Sequence, residues 1–435
     1  MKLAAGAFIA GAASRLLPPS IPFRFFGAAV AYQLLAWIAL FAGAQSVPRF
    51  GGGLGWPLAA LHLVTLGVLV MTAIGASLQL LPVATRQPVR SQRWPVIIWW
   101  LYTPGVAAVA LGMGVPAPPL LAGGAVAVAA ALGGYALLLA RNLVGARGMP
   151  VVVAHGWAAL GSLVVVLATA LSLACAYVGF SGFGRGVALA LHVTFAAYGF
   201  MGLLALGLSY ILVPMFALSP APDEHRAAMS LTFAVAALLL AAAASSGMAE
   251  RPLRIAAIGA GTVAVALHLR LMGVALKSGM RRELGRSFTL IRIAWASLVA
   301  SLAAALGVVL DVPVSGVGVL FGILLIVGWL LTFLVGILQR IIPFLASMHA
   351  APGRRLAPTP SSLTAQRPLA IHFVCHLAAL VLLGLAVATD SERFASAGAI
   401  VGSVGAAAFA RFFLIVLRRM STPHLKAGRR QSSAG

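Results

Sequence analysis

Twelve apolar stretches, each long enough to cross a bilayer, constrain this chain more than any other feature of its sequence. A membrane helix needs about 20 mostly apolar residues, because only a helix that satisfies its own backbone hydrogen bonds is tolerated in hydrocarbon. Such stretches run near 24–45, 56–83, 95–114, 119–140, 152–178, 187–216, 227–248, 254–276, 288–310, 315–346, 367–388 and 394–417. With 62% hydrophobic and 9% charged residues, against about 25% charged in soluble domains, the chain excludes both a soluble enzyme and a disordered protein. The expected fold is all-α and polytopic.

The formal charge of +23 would point to nucleic acid in a soluble domain, but here the cations sit between the apolar stretches. Most of the 30 Lys and Arg residues fall at the N-terminus, after even-numbered stretches, and in the tail. The opposite loops hold only Arg49, Arg185, Arg251, Arg254 and Arg393. The positive-inside rule then predicts cytoplasmic termini in a bacterial inner membrane, with the lipid bilayer as partner and no role for nucleic acid. Arg270, Arg292, Arg340 and Arg411 lie toward the inner ends of their spans and read as snorkelling anchors. Residues 1–23 read as an interfacial segment, 24–417 as the membrane domain, and 418–435 as a mobile basic tail. Cys175 and Cys375 fall toward opposite membrane faces, which argues against a disulfide.

An internal repeat organises the spans. Stretch 2 carries Gly67, Gly75 and Pro82; stretch 6 carries Gly199, Gly207 and Pro214; stretch 10 carries Gly328, Gly336 and Pro343. All three fit G-x7-G-x6-P, four helices apart. Three successive four-helix units are therefore expected, over about 24–140, 152–276 and 288–417. A major facilitator type of transporter, which repeats after six helices, is disfavoured. Glycines eight apart lie near one helix face, where they admit a neighbouring backbone or a flat ligand.

Nine histidines are present. His225, His349 and His424 fall in inner loops or the tail, while His155 and His268 lie toward inner span ends without an evident partner. His372 and His376 share a face of stretch 11 at i, i+4; a metal pair is one reading and a polar helix contact the other. His62 and His192 differ, because both lie in the outer third of stretches that belong to the repeat. A neutral imidazole facing a bundle interior is a competent axial ligand for haem iron. The competing reading is that each bonds a neighbouring helix.

The run from His62 through Gly67 and Gly75 to Pro82 resembles span 2 of the haem-copper oxidase subunit I superfamily, in which a His opens the helix and a Gly-rich segment leads to a Pro. That resemblance covers about 24–417 and implies twelve helices in three arcs about a pseudo-threefold axis. It implies that His62 matches the low-spin haem ligand, and that His192 falls on the helix where the family has a copper ligand. Stretch 10 has no His at the family's haem positions, and stretch 7 lacks its adjacent copper pair. No acidic residue lies mid-membrane for a proton route: Asp223, Glu224, Glu250, Glu283, Asp311, Asp390 and Glu392 all fall in loops or at span ends. The resemblance thus implies no functional terminal oxidase and no copper. It leaves one haem b, bound by His62 and His192, in a divergent branch comparable to the NnrS-like proteins of nitric oxide stress.

The functional expectation is electron transfer, or sensing or handling of NO or O2. Gly67, Gly75, Gly199 and Gly207 would line the cofactor, and Trp56 or an outer Arg would meet its propionates. A redox partner or respiratory complex subunit is the expected protein partner. The alternatives are a non-catalytic scaffold or assembly partner of a respiratory complex, and a transporter.

Overall fold

The computed structural model describes residues 17–88, 91–180, 182, 184–247, 249–281, 283–350 and 358–421. Among them twelve helices are long and apolar enough to span a membrane, and no strand occurs. They are α1 (Ser20–Ala42), α2 (Trp56–Ala84), α3 (Arg93–Gly114), α4 (Pro118–Val144), α5 (Pro150–Ala176), α6 (Arg185–Ala217), α7 (Glu224–Ala244), α8 (Glu250–Ser278), α9 (Gly285–Val309), α10 (Val317–Ala350), α11 (Gln366–Ala388) and α12 (Glu392–Ser421). The chain is a multi-pass, all-α membrane protein.

Local chemistry sets several boundaries. Pro57, Pro118 and Pro150 stand in the first turns of α2, α4 and α5, where a missing N–H costs nothing and the fixed φ suits a helix. Asp223 caps α7, accepting the Arg226 backbone N–H at 2.8 Å. Two segment limits shift from the sequence reading. Helix α1 begins at Ser20, inside the expected interfacial segment, and α12 carries Arg418 and Arg419 before ending at Ser421. Residues 1–16 and 422–435, which hold the rest of that segment and tail, lie outside the described residues.

Three helices form the centre. In their most apolar windows α2 is 67% buried, α6 89% and α10 56%, whereas no other helix exceeds 50%. The remaining helices wrap them, with α3 against α4, α7 against α8, and α11 against α12; α12 then packs on α1 and closes the ring. Large apolar side chains such as Ile38, Trp100, Leu137, Val164, Leu239 and Val374 stand exposed on the outer surface. In water such a surface would aggregate; against lipid tails it needs no cover.

Each central helix contains one π-helical stretch: Leu63–Val70 in α2, Phe195–Gly202 in α6 and Leu324–Leu331 in α10. The fifth residue of each is the first glycine of the sequence pattern, namely Gly67, Gly199 and Gly328. Widening to i→i+5 hydrogen bonds misaligns carbonyls that an α-helix would use. Side-chain hydroxyls take up two of them: Tyr102 Oη of α3 donates to Leu66 O at 3.0 Å, and Thr332 Oγ1 of α10 itself donates to Val327 O at 2.7 Å.

The glycines seat each central helix on the helix before it. A Cβ at Gly67 would stand 2.7 Å from Tyr32 Cβ on α1; at Gly199, 2.7 Å from Ser162 Oγ on α5; at Gly328, 2.9 Å from Ser297 Cβ on α9. The second glycines behave alike: Gly75 faces Phe25, Gly207 faces His155, and Gly336 faces Ser287 and Ile291.

Arg49 and Asp390 join the loops that follow α1 and α11. Arg49 Nε donates to both carboxylate oxygens, at 2.9 and 2.8 Å, and Nη2 also bonds Oδ2. This pairing holds the carboxyl below its usual range and the guanidinium above its own. With a depressed folded value, the contribution of Asp390 is present above its unfolded pKa and lost as pH falls through the folded one. Both groups are solvent-exposed, so the pair contributes little. Asp390 has φ of 50°, a left-handed conformation that Asn tolerates well. Asp390→Asn is therefore expected to leave the melting temperature at pH 7 within experimental error, and acidification should affect variant and parent alike.

Candidate functional site

His62 is the seventh residue of α2 and His192 the eighth of α6, so both lie about 10 Å inside the same ends of their helices. Their ring centres lie 6.5 Å apart, with planes inclined by only 18°. The π stretches begin directly after His62 and three residues after His192. The π stretch of α10 packs against those of α2 and α6, while α2 and α6 make little contact with each other. The two imidazoles thus meet between helices whose backbones make few contacts.

Hydrogen bonding fixes the tautomer of His62. Its Nδ1 lies 3.0 Å from Leu58 O, and because a carbonyl can only accept, Nδ1 carries the proton. Nε2 is left with its lone pair, the arrangement found in metal-ligating histidines, whose other nitrogen donates to a carbonyl or carboxylate. His192 Nδ1 is buried without a hydrogen-bond partner, although the Val166 carbonyl of α5 is beside it. An iron held in line by two imidazole nitrogens at about 2 Å each places the ring centres about 6 Å apart. The ring-centre separation of 6.5 Å is close to that value.

The four candidate glycines pack against neighbouring helices. Gly67, Gly75, Gly199 and Gly207 are all buried against α1 or α5, so the space a side chain would need is filled by protein. Trp56 packs on α3, where a Cβ at Gly114 would stand 2.6 Å from its ring. Outer cations also have partners: besides Arg49 with Asp390, Arg185 donates to Tyr177 Oη at 2.9 Å. A cavity of about 560 Å³ lies between the C-terminal halves of α2 and α4, lined in part by Ser77, Tyr135 and Asn142, and neither His62 nor His192 borders it.

The other histidines show what the sequence left open. His372 and His376 lie with ring centres 5.5 Å apart. His376 Nε2 is 2.7 Å from Thr332 Oγ1, and that hydroxyl already donates to Val327 O, so the imidazole donates to it. This joins α11 to the end of the π stretch in α10. His372 Nδ1 donates to Gly405 O of α12 at 3.1 Å. Both histidines therefore make helix contacts. His349 lies in the last turn of α10 rather than in a loop, 3.3 Å from Gln79 Nε2, and His225 lies in the first turn of α7. Arg270, Arg292 and Arg411 are exposed, consistent with anchoring at headgroups. Arg340 is not such an anchor: it is half-buried, donates from Nε to Ser287 Oγ at 2.7 Å and from Nη2 to Leu284 O, and so ties α10 to α9. All seven acidic residues lie in loops or at helix ends, and both cysteines are free.

The helical bundle and its near-parallel imidazoles define the class of site, a histidine pair inside a membrane domain. No protein-family model matches the chain, and no curated protein is significantly similar to it.

Proposed function

We propose that this chain is an integral membrane haem b-binding protein, with His62 and His192 as axial ligands, that works in one-electron transfer. The observation that carries the reading is the near-parallel imidazole pair, 6.5 Å apart between α2 and α6. Bound there, haem would supply a one-electron couple whose potential responds to burial and to hydrogen bonds on the axial ligands. Leu58 O holds His62 in the liganding tautomer. Use of both axial positions favours electron transfer over gas binding, since NO or O2 would have to displace an imidazole. Its partner would be a redox protein or respiratory complex subunit.

The divergent oxidase-like architecture belongs to the same proposal. Equal placement of three π stretches, each with a glycine seated on the preceding helix, supports three four-helix units about a pseudo-threefold axis. Oxygen reduction is not proposed: α10 carries no His besides His349 at its inner end, and α7 none besides the exposed His225. The test is a reduced-minus-oxidised spectrum of membranes from haem-replete cells overproducing the protein. A sharp α band at stoichiometric iron supports the proposal, and a colourless, monodisperse protein refutes it.

Orientation follows from the charge distribution, with both termini in the cytoplasm of a bacterial inner membrane. A green fluorescent protein fused after residue 435 is expected to fluoresce, and an alkaline phosphatase fused there to be inactive. The opposite pair of results would invert the topology and place His62 and His192 near the cytoplasmic side.

A further inference from the structure

The cavity of about 560 Å³ between the C-terminal halves of α2 and α4 has a size that suits a small ligand. Its walls are fixed by hydrogen bonds. Asn142 Oδ1 of α4 accepts from Thr85 Oγ1 at 2.9 Å, and its Nδ2 donates to Gln87 O at 3.0 Å. The Arg147 backbone N–H donates to Thr85 O at 2.9 Å, so the turn after α2 is held against the end of α4 from two directions. Deeper in, Tyr135 Oη lies 2.8 Å from Ser77 Oγ, which itself donates to Ile74 O. Trp94, Leu137 and Val144 border the cavity and are 52%, 62% and 77% exposed, so it reaches the surface that meets lipid.

The two ends of the cavity differ in chemistry. Leu78 and Leu137 stand about 10 Å inside the ends of α2 and α4, and Leu81 and Leu138 lie beside them. Arg141 stands only about 5 Å from the end of α4, and Gln87 and Ser91 add donors there. Trp94 places an indole at the same boundary, where Trp is enriched in membrane proteins. Charge at this end has one sign. Arg86, Arg93, Arg141 and Arg147 are all exposed, and none of them forms an ion pair among the described residues. No Asp or Glu occurs in the sequence before Asp223. An occupant must therefore be anionic at the membrane boundary and apolar below it. We propose that this cavity binds one anionic phospholipid of the adjoining leaflet, with its phosphate against Arg141 and the first carbons of an acyl chain against Leu81, Leu137 and Leu138. A guanidinium matches two phosphate oxygens with parallel N–H donors. An acyl chain gains little by exchanging other chains for leucines, so headgroup charge decides which lipid is held. This site is independent of the His62–His192 pair.

The full chain, delipidated in detergent, is titrated with dioleoyl phosphatidylglycerol or dioleoyl phosphatidylcholine and read by native mass spectrometry. One phosphatidylglycerol per chain is expected to be retained, with phosphatidylcholine held about 5-fold more weakly or less. Arg141→Gln should remove most of that difference. Ala140→Phe, which adds bulk at the cavity wall and keeps every charge, should lower retention of phosphatidylglycerol. Arg411→Gln, on the exposed face of α12, should change nothing. Any α band should be the same in all three variants, and thermal melting shows that each is folded. Equal retention of the two lipids by the parent overturns the inference. Equal effects of Arg141→Gln and Arg411→Gln also overturn it, since they would mean diffuse attraction to a basic surface. Displacement of the lipid by excess inorganic phosphate overturns it too, and leaves a site for the free anion.

Discussion

His62→Ala protein is expected to reach the membrane folded and nearly colourless. Truncation removes the imidazole of the pair whose tautomer is fixed by Leu58 O, and leaves its Nε2 position empty. Changing a mere supporting partner of a metal ligand costs about 10- to 100-fold in affinity, so losing a ligand should cost at least that. His192→Ala is expected to behave differently if His62 still holds iron. It should retain part of its haem as a five-coordinate, high-spin species that binds carbon monoxide, which the parent does not. Absorption spectra of both variants, normalised to iron and to protein, check this. Unchanged spectra in both would remove the haem site from between α2 and α6, while thermal melting shows whether either variant has simply failed to fold.

Gly67→Ala is expected to weaken the bundle without emptying the haem site. The new methyl would stand 2.7 Å from Tyr32 Cβ, an atom that moves only with the backbone of α1. Overpacking of that kind costs about 1–3 kcal/mol. Gly199→Ala against Ser162 and Gly328→Ala against Ser297 should show the same sign. Gly161→Ala, where no atom lies within 4 Å, should be harmless. The measurement is melting temperature together with haem per folded chain. Lower stability at unchanged haem content identifies these glycines as helix-packing residues. Haem loss at unchanged stability would support the sequence expectation that they line a flat ligand.

That contrast shows where sequence reading was sufficient. Twelve spans were legible because lipid demands about twenty apolar residues each time the chain crosses. Their limits needed adjusting only at ends such as Ser20 and Ser421, where residues acceptable at an interface extend the helix. The G-x7-G-x6-P pattern marked α2, α6 and α10, and these are the most buried helices. The function of the glycines was not legible, since close approach by a backbone and by a ligand leave the same residue behind.

The π stretches were hidden for a related reason. Runs such as LVTLGVLV and LLIVGWLL are ordinary apolar sequence, and an α-helix would accept them. What fixes the donors to the displaced carbonyls is remote: Tyr102 lies on α3, and Thr332, on α10 itself, is held by His376 of α11. His155 of α5 and His268 of α8 likewise pack on the Tyr210 ring of α6, and no spacing rule connects them.

The amino-acid order alone determined that this chain lives in a membrane as twelve helices, and it singled out His62 and His192 by depth. Hydropathy and glycine periodicity are local properties, carried by each segment wherever it packs. Only the tertiary structure decided which side chains meet: two imidazoles 6.5 Å apart, and glycines filled by Tyr32 and Ser162. Meeting depends on helix rotation and neighbour choice, and those are set by packing among all twelve helices together.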